Sequence, residues 1–476
     1  MTREPQMQRT PEQKSLFNQA IEFHKNDRRP EALEAYRLYL SQVPLDYQAW
    51  GNLGVLLRKM GKFAGAIAAH LRALELDPKN HTVRNNLINA LVSEGEYDRA
   101  IAECAVILKD KPKDPEAFRL RLVALRCQGH HEQVLAELQA WEKLHGFHEK
   151  NRIQSALCRL TLGDYKGGFA DFECRFAGGE VALPQNAPWP RWTGEDLKGK
   201  KIAVLPEQGM GDMIFMSRFL PSLKALGGEV HLLVKPPLLR FMQAVEGPDQ
   251  VRGEIGMTEH FDYYTPIISL PHFLGFEGPQ PPPAIRVNIP DDSRTRARRI
   301  VEPFRNRFRI GIVWTGSLTY PSNHKRSCSP EDFLGIARIP GVQLFSLYKG
   351  GAYEDFIKGG MAGIIVDACG DDRDLADAAA VIDEMDMLIT TDTGVVHIAG
   401  TLGKENWNML SAEGFWLYGL GDTTQWYPNM RIYRKDQDDL WPPVFASIEA
   451  DLRQKLEAKA LAAIAAKPHK KARHHG

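Results

Sequence analysis

Three prolines set the register of the N-terminal third of the chain. Pro44, Pro78 and Pro112 recur at an interval of 34 residues. Because proline cannot continue a helix, each marks a helix boundary. An interval of this length holds two helices and their turns. In the unit at residues 47–80, four residues of the first predicted helix are spaced at i, i+3, i+4 and i+7 and so lie on one face of that helix. They are Trp50, Leu53, Gly54 and Leu57.

Period and phase are those of tetratricopeptide repeats, which we predict over residues 11–150. A fourth unit, from about Pro115, departs from the pattern and has Gly146 where a proline is expected. Such units stack into a superhelix with a concave groove, so we expect a protein or peptide partner to dock there. The alternative is that the array only stabilises the next domain or a homo-oligomer.

Composition narrows the class of protein. Sixty Lys and Arg balance sixty Asp and Glu, so there is no basic excess of the kind that nucleic-acid binders show. The apolar runs are too short for a membrane span, and we expect no secretory signal peptide. Six cysteines without a CxxC pair argue against a disulfide framework or a zinc site. We therefore expect a soluble cytoplasmic protein of about three domains.

After the repeats, residues 151–180 are predicted to be capping and linking helices, followed by a proline- and glycine-rich linker at residues 177–194. From Lys201 onwards short apolar strands alternate with helices, which favours two Rossmann-like α/β lobes over residues 181–300 and 301–445. Residues 446–476 are predicted to hold a last helix and a disordered basic tail. The predicted strands are Ile202–Leu205, Val230–Val234, Ile310–Trp314, Val342–Leu347, Gly363–Val366, Met387–Thr390 and Trp407–Leu410.

The loop after the first strand is rich in glycine and carries one carboxylate. Gln208, Gly209 and Gly211 let the backbone approach a ligand, here on the acceptor side. Asp212 follows at the predicted helix start, where a carboxylate can take a proton from an attacking hydroxyl. Its alternative is a plain helix N-cap.

Two further loops carry groups suited to phosphate. In the turn Asp392-Thr393-Gly394, a hydroxyl and backbone amides lie at the positive end of a helix. His397, one turn further on, either hydrogen-bonds a phosphate or is a satisfied buried histidine.

The third loop runs from Thr315 and Gly316 to Lys325 and Arg326. The two cations suit phosphate neutralisation, and their alternative is an exposed basic pair. Three such loops and one carboxylate suit the transfer of a sugar from a nucleotide sugar.

The chain resembles bacterial tetratricopeptide-repeat glycosyltransferases related to the lipopolysaccharide heptosyltransferases, a group that includes flagellin glycosyltransferases. The matching segments are Arg191–Gly194, Glu207–Asp212, Ile268–Pro271, Val313–Gly316, Lys325–Ser327, Asp392–His397 and Trp426–Pro428.

The resemblance implies a GT-B fold and inverting transfer without a metal or other cofactor. It assigns the general base to Asp212, the donor diphosphate to Thr393, Gly394 and His397, and charge compensation to Lys325. Four positions depart from the family pattern: Phe215, Tyr348, Glu405 and Phe415. Either the donor is unusual, or the activity is weakened or lost.

The sequence therefore predicts a hexosyl- or nonulosonyl-type transferase that modifies Ser or Thr hydroxyls of a protein, such as flagellin, docked on the repeats. The alternatives are an inactive adaptor and a transferase that acts on a glycan or lipid core.

Overall fold

The computed structural model describes most of the chain, and the description that follows is limited to those residues: 9–177, 187–256, 259–287, 289–318, 320, 322–436 and 440–465. The chain divides into two compact units. The first takes the described residues of 1–159 and 171–181, and the second those of 160–170 and 182–476. The basic tail predicted from Lys467 lies outside the described residues, as do residues 178–186 of the linker predicted at 177–194.

The first unit consists of consecutive helices, each packed on the next. Their bounds are α1 (Pro11–Lys25), α2 (Arg29–Gln42), α3 (Tyr47–Lys59), α4 (Phe63–Leu76), α5 (His81–Glu94), α6 (Tyr97–Asp110), α7 (Pro115–Cys127) and α8 (His131–His145). Two more, α9 (Glu149–Thr161) and α10 (Tyr165–Phe172), cross the boundary between the units.

The repeated prolines act together with the residue two positions later. Asp46 accepts hydrogen bonds from the amides of Gln48 and Ala49 at the start of α3. Asn80 caps α5 and Asp114 caps α7 in the same way. Each proline therefore ends one helix pair, and the side chain after it begins the next. This is why the period of the sequence becomes the period of the structure.

Residues 160–170 pack within the second unit. The Tyr165 hydroxyl accepts hydrogen bonds from Trp426 Nε1 at 3.1 Å and Gln425 Nε2 at 3.3 Å. The Phe169 ring meets that of Trp416 edge-on, with centroids 5.7 Å apart. Part of the predicted capping segment thus belongs to the α/β unit.

The first lobe of that unit is built on a parallel sheet of order β3-β2-β1-β4 among the described residues. Its strands are β1 (Lys201–Leu205), β2 (Glu229–Leu233), β3 (Gln250–Arg252) and β4 (Tyr263–Pro266), and its helices are α11 (Met210–Met216), α12 (Leu220–Lys224), α13 (Leu239–Met242) and α14 (Leu270–Phe273).

The second lobe is built on a parallel sheet of order β10-β9-β8-β5-β6-β7 within the described ranges. Its strands are β5 (Phe308–Val313), β6 (Val342–Ser346), β7 (Val366–Asp367), β8 (Met387–Thr391), β9 (Asn406–Leu410) and β10 (Met430–Arg434). Its helices are α15 (Asp291–Val301), α16 (Asn323–Arg326), α17 (Leu334–Ala337), α18 (Tyr353–Lys358), α19 (Leu375–Asp383), α20 (Gly394–Thr401) and α21 (Pro442–Ala465).

Two predicted elements are wrong in detail. The strand expected at Gly363–Val366 begins only at Val366, because the chain turns at Gly360 (φ 79°) and then forms a 3-10 turn at Met361–Gly363. The sequence also predicts a helical stretch over about residues 213–225, which the structure divides into α11 and α12 by a 3-10 turn at Ser217–Phe219. Pro221 explains the break, since it lacks an amide hydrogen and clashes with the preceding turn.

No helix in the described part of the chain is long and apolar enough to cross a bilayer.

Candidate functional site

The predicted loops follow β1, β5 and β8, at the carboxyl ends of the parallel strands. In open α/β sheets this edge is where ligands bind. The residues that the sequence singled out lie on these loops, and the structure links them by direct contacts.

The two lobes meet at Gly211. A Cβ atom built on Gly211 would lie 2.6 Å from His397 Cδ2 and 3.4 Å from Gly394 Cα. Only a residue without a side chain allows α11 of the first lobe to approach α20 of the second this closely. The glycine-rich loop and the Asp392–His397 turn therefore form one site.

Asp212 lies in the first turn of α11 and is half-buried. Gly209 is the N-cap, and its amide donates to Asp212 Oδ2 at 2.9 Å. The alternative that Asp212 is itself the N-cap is thus wrong, although its carboxylate does satisfy an amide at the helix start. Burial, opposed by that hydrogen bond and assisted by the charge of Asp392, raises the pKa of Asp212 to about 6.

Gln208 bends the loop between β1 and α11. It has a positive φ of 57°, which non-glycine residues rarely adopt. Its carbonyl accepts a hydrogen bond from Lys235 Nζ at 2.6 Å. Gln208 and Gly209 are both exposed in this loop.

The start of α20 presents unpaired donors. Thr393 is the N-cap, yet its side chain makes no capping hydrogen bond, and Thr393 Oγ1 is buried without a partner among the described residues. Gly394, the first helical residue, is exposed. The amides of a first helical turn have no acceptor within the helix. A hydroxyl and helix amides are thus available to an anion.

Unlike the Thr393 hydroxyl, Asp392 has hydrogen-bond partners for both its side chain and its main chain. Asp392 Oδ1 accepts a hydrogen bond from the Tyr418 hydroxyl at 2.6 Å, and its main-chain oxygen accepts one from Arg326 Nη1 at 2.7 Å. Burial raises the pKa of Asp392, while Tyr418 and Arg326 oppose the rise. Through the bond from Arg326, Asp392 links the turn after β8 to the loop after β5.

The third predicted loop folds on α16. Asn323 Nδ2 donates to Thr315 Oγ1 at 2.9 Å, and Asn323 Oδ1 accepts from the Gly316 amide at 3.1 Å. The Arg326 guanidinium packs against Gly316 and lies 4.6 Å from the Tyr320 ring centroid.

Lys325 and Arg326 are not an exposed basic pair. Lys325 Nζ lies 2.5 Å from Glu413 Oε1, and the two side chains are 12% and 20% exposed. Arg326 is half-buried and bonded to Asp392. Arg326 is thus a link between loops, and the charge of Lys325 is already balanced by Glu413.

His397 is buried, and its Nδ1 is 3.0 Å from the Tyr427 hydroxyl. Burial, with the nearby charge of Arg218, lowers its pKa to about 3. The ring is therefore neutral at physiological pH. His397 is thus a buried histidine whose Nδ1 has a hydrogen-bond partner, as one of the two sequence-based alternatives predicted. The Nε2 edge of the ring lies towards Gly211.

The positions that depart from the family pattern have structural partners. Phe215 is buried, with its ring 4.7 Å from Trp426 and 5.8 Å from His397. Tyr348 lies against Trp314, with centroids 4.9 Å apart. Glu405 pairs with Lys455, and Phe415 lies against Trp416.

Sequence reasoning missed four residues that complete this site: Arg218, Glu413, Tyr418 and Tyr427. Trp426, Tyr427 and Pro428 matched the family pattern as a segment, which was the one available signal for Tyr427. Glu413 stands two residues before Phe415, in the segment 413–416 that departs from the family pattern. Arg218 and Tyr418 bond to residues far away in the chain and left no local signal.

Comparison with protein-family models places tetratricopeptide repeats at residues 17–81 and 57–122. Protein FlbA of Caulobacter vibrioides is 24% identical over 461 residues, which cover 92% of this chain and 72% of that protein. The TPR repeat-containing thioredoxin TTL4 of Arabidopsis thaliana is 26% identical over 140 residues, 28% of this chain and 20% of that protein.

Among solved structures, a glycosyl transferase family 9 protein from Veillonella parvula is similar to 51% of this chain and 88% of its own, with a TM-score of 0.40 and 14% identity. A tetratricopeptide repeat protein from Parabacteroides merdae is similar to 36% of this chain and 68% of its own, with a TM-score of 0.32 and 19% identity. The family models and the topology of the two sheets confirm the predicted fold class: tetratricopeptide repeats followed by a pair of Rossmann-like lobes, the plan called GT-B.

Proposed function

We propose that the chain is a cytoplasmic glycosyltransferase that moves a sugar from a nucleotide sugar to a Ser or Thr hydroxyl of a protein, with inversion and without a metal. The observation that carries the proposal is the contact of Gly211 with Gly394 and His397. Asp212, a carboxylate of raised pKa, follows Gly211 directly, and Thr393, whose hydroxyl is buried without a partner among the described residues, directly precedes Gly394 at the start of α20.

These groups match the needs of an inverting displacement. Asp212 accepts the proton of the acceptor hydroxyl while its oxygen forms a bond to the anomeric carbon. The bond from that carbon to the diphosphate oxygen breaks, and the electron pair leaves with the diphosphate. Thr393, Gly394 and the positive end of α20 stabilise the charge that develops on the leaving group.

The raised pKa of Asp212 suits this role. A carboxylate with a pKa of about 6 is still mostly ionised at pH 7, yet it holds a proton more tightly than an ordinary aspartate. The site therefore combines an available base with a stronger driving force for proton transfer.

Replacing Asp212 with Asn tests the proposal. We expect transfer to fall by about 100-fold to 10,000-fold, the usual contribution of a general base. Binding of the nucleotide sugar should persist, because Asp212 is on the acceptor side. Host cells that lack this gene would be complemented with each variant. Mass spectrometry of intact proteins would then show whether the glycan mass is lost.

A matched control is Asp332→Asn. Asp332 Oδ2 accepts the amide hydrogen of the helix N-cap Ser329 at 2.7 Å, which repeats the local bond between Asp212 and Gly209 on an exposed surface. Asp332→Asn should leave transfer unchanged. Wild-type levels of modification with Asp212→Asn would refute the role of Asp212.

The acceptor part of the proposal rests on the repeats. A groove built from stacked helix pairs suits an extended or flexible protein segment, and flagellin is the candidate that the family resemblance suggests. Identification of the protein whose mass changes in the cells without this gene decides between a protein and a glycan or lipid acceptor.

A second candidate, a non-catalytic adaptor, is favoured by one contact. Because Glu413 lies 2.5 Å from Lys325, the cation assigned to the donor phosphate is already neutralised. Isothermal titration calorimetry of the full chain with a panel of nucleoside diphosphates separates the two candidates. An adaptor should bind none of them, whereas a transferase should bind at least one.

A further inference from the structure

The segment of residues 160–170 is in contact with the first lobe of the second unit. Its two buried aromatic side chains, Tyr165 and Phe169, are 4% and 1% exposed. Their ring centroids lie 5.6 Å and 6.2 Å from that of Phe276, which follows α14. Aromatic rings attract one another at such distances. Both side chains therefore attach the segment to the first lobe.

The same two side chains are also in contact with the second lobe. The Tyr165 hydroxyl accepts a hydrogen bond from Trp426 Nε1 at 3.1 Å, and the two rings meet edge-on with centroids 5.2 Å apart. The Phe169 ring meets that of Trp416 in the same manner at 5.7 Å. Both tryptophans lie in the connection between β9 and β10. Residues 160–170 thus bridge the two lobes.

The two tryptophans share a contact with one side chain of the first lobe. Phe215 belongs to α11 and is 1% exposed. Its ring centroid lies 4.7 Å from that of Trp426 and 5.8 Å from that of Trp416. Phe215 is one of the positions that depart from the family pattern, and here it gives α11 an aromatic contact with the second lobe.

Phe215 lies close to the groups of the candidate site. It follows Asp212 by three positions in α11, so the two side chains are neighbours on the helix surface. Its ring also lies 5.8 Å from that of His397 in α20. A displacement of Phe215 would therefore move the helix that carries Asp212 relative to α20.

We propose that Tyr165 and Phe169 are positioning residues, and that residues 160–170 form a brace across the two lobes. The brace keeps Trp416 and Trp426 against Phe215 and so sets the place of Asp212 relative to α20. The effect on transfer rests on the proposed function, whereas the brace itself is a property of the fold. Both residues act through the tryptophans and not by contact with the sugar or the phosphate.

Hydrogen exchange of the full chain, followed by mass spectrometry, tests the brace without a substrate. Tyr165→Phe removes the oxygen that accepts from Trp426 and leaves the indole N–H buried without this partner. We expect the amides of α11 to exchange about fivefold faster, the usual effect of one lost hydrogen bond. Phe169→Leu, which loses the ring contacts with Trp416 and Phe276, should act in the same direction. Strands β5 and β8 should exchange as in the wild type.

Tyr433→Phe is the matched control. Tyr433 is also buried, and its hydroxyl donates to Asp451 at 2.9 Å within the second lobe. This variant loses a comparable hydrogen bond that does not join the lobes, so α11 should exchange at the wild-type rate. Wild-type exchange of α11 in both brace variants would overturn the inference. A uniform rise over α11, β5 and β8 would show a loss of overall stability and would overturn it as well.

A split between binding and transfer tests the effect on Asp212. The groups assigned to the donor phosphate belong to the second lobe, so calorimetry should give Tyr165→Phe the wild-type Kd for the nucleoside diphosphate that the wild type binds. In complemented host cells, the fraction of acceptor that carries the glycan mass shortly after induction should fall about tenfold. The reason is that a misplacement of about 1 Å can lower a rate by as much as about 100-fold.

Unchanged modification by Tyr165→Phe would overturn the positioning role. If the wild type binds no nucleoside diphosphate, the proposed function fails, and hydrogen exchange still decides whether residues 160–170 brace the lobes.

Discussion

Gly211→Ala is the most direct test of how the two lobes meet. The added Cβ atom would lie 2.6 Å from His397 Cδ2, whereas carbon atoms in contact are normally about 3.5–4.0 Å apart. The ring would have to retreat by about 1 Å. It has little freedom to do so, because Nδ1 is bonded to Tyr427 and the ring lies against Phe215.

The expected cost follows from two opposing terms. Overpacking a well-filled core usually costs about 1–3 kcal/mol, and replacing a helical glycine with alanine returns up to about 1 kcal/mol. Since Gly211 is in the first turn of α11, the second term is small there. We therefore expect the free energy of unfolding of the second unit to fall by about 1–3 kcal/mol, because the second term offsets little of the first.

Urea unfolding followed by tryptophan fluorescence measures this loss, because most of the nine tryptophans are in the second unit. Gly65→Ala is the control. Gly65 is helical as well, but the nearest atom to its added Cβ would be Leu57 Cδ1 at an ordinary 3.5 Å. It should be neutral or slightly stabilising. Equal stability and equal nucleotide binding of Gly211→Ala and the wild type would refute close contact between the lobes at this residue.

Two further predictions concern charge. Removing the charge of Asp392 in Asp392→Asn should lower the pKa of Asp212, because like charges raise it. The rate should fall as the pH drops through about 6 in the wild type, and this limb of the pH–rate profile should move to lower pH in the variant. An unmoved limb would show that another group controls it. Glu413→Gln removes the carboxylate that balances the charge of Lys325 and should tighten the binding of a nucleoside diphosphate by about tenfold, or about 1.4 kcal/mol. Calorimetry that finds no change would contradict the assignment of Lys325 to the phosphate.

Local sequence patterns were sufficient to predict most of the fold. The interval of Pro44, Pro78 and Pro112 predicted the repeats because each proline is followed by a capping side chain, so both signals lie within a few residues. The apolar strands β1, β5 and β8 were predicted for the same reason. The strands β3, β4 and β10 were missed, since β3 is short and polar and β4 ends in a proline.

The site was predicted as loops but not as a set of contacts. The Tyr418–Asp392 and Tyr427–His397 bonds join residues 26 and 30 positions apart. Lys325 and Glu413 are 88 positions apart, and Arg218 and Trp426 are 208 apart. Such pairs depend on tertiary packing: the first three lie within the second lobe, and Arg218–Trp426 joins the two lobes. A single sequence holds no periodic signal for them, so the neutralised lysine and the buried arginine were not foreseen.

The placement of residues 160–170 has a consequence for how such a protein can change over time. Tyr165 and Phe169 are held by Trp426 and Trp416, more than 240 positions later in the chain, so we expect this segment to be inherited with the α/β unit. Gene rearrangements that add, lose or exchange repeats should therefore be tolerated only upstream of it. Across lineages, the number of repeats should vary freely, whereas the two aromatic residues should travel with the tryptophans that hold them.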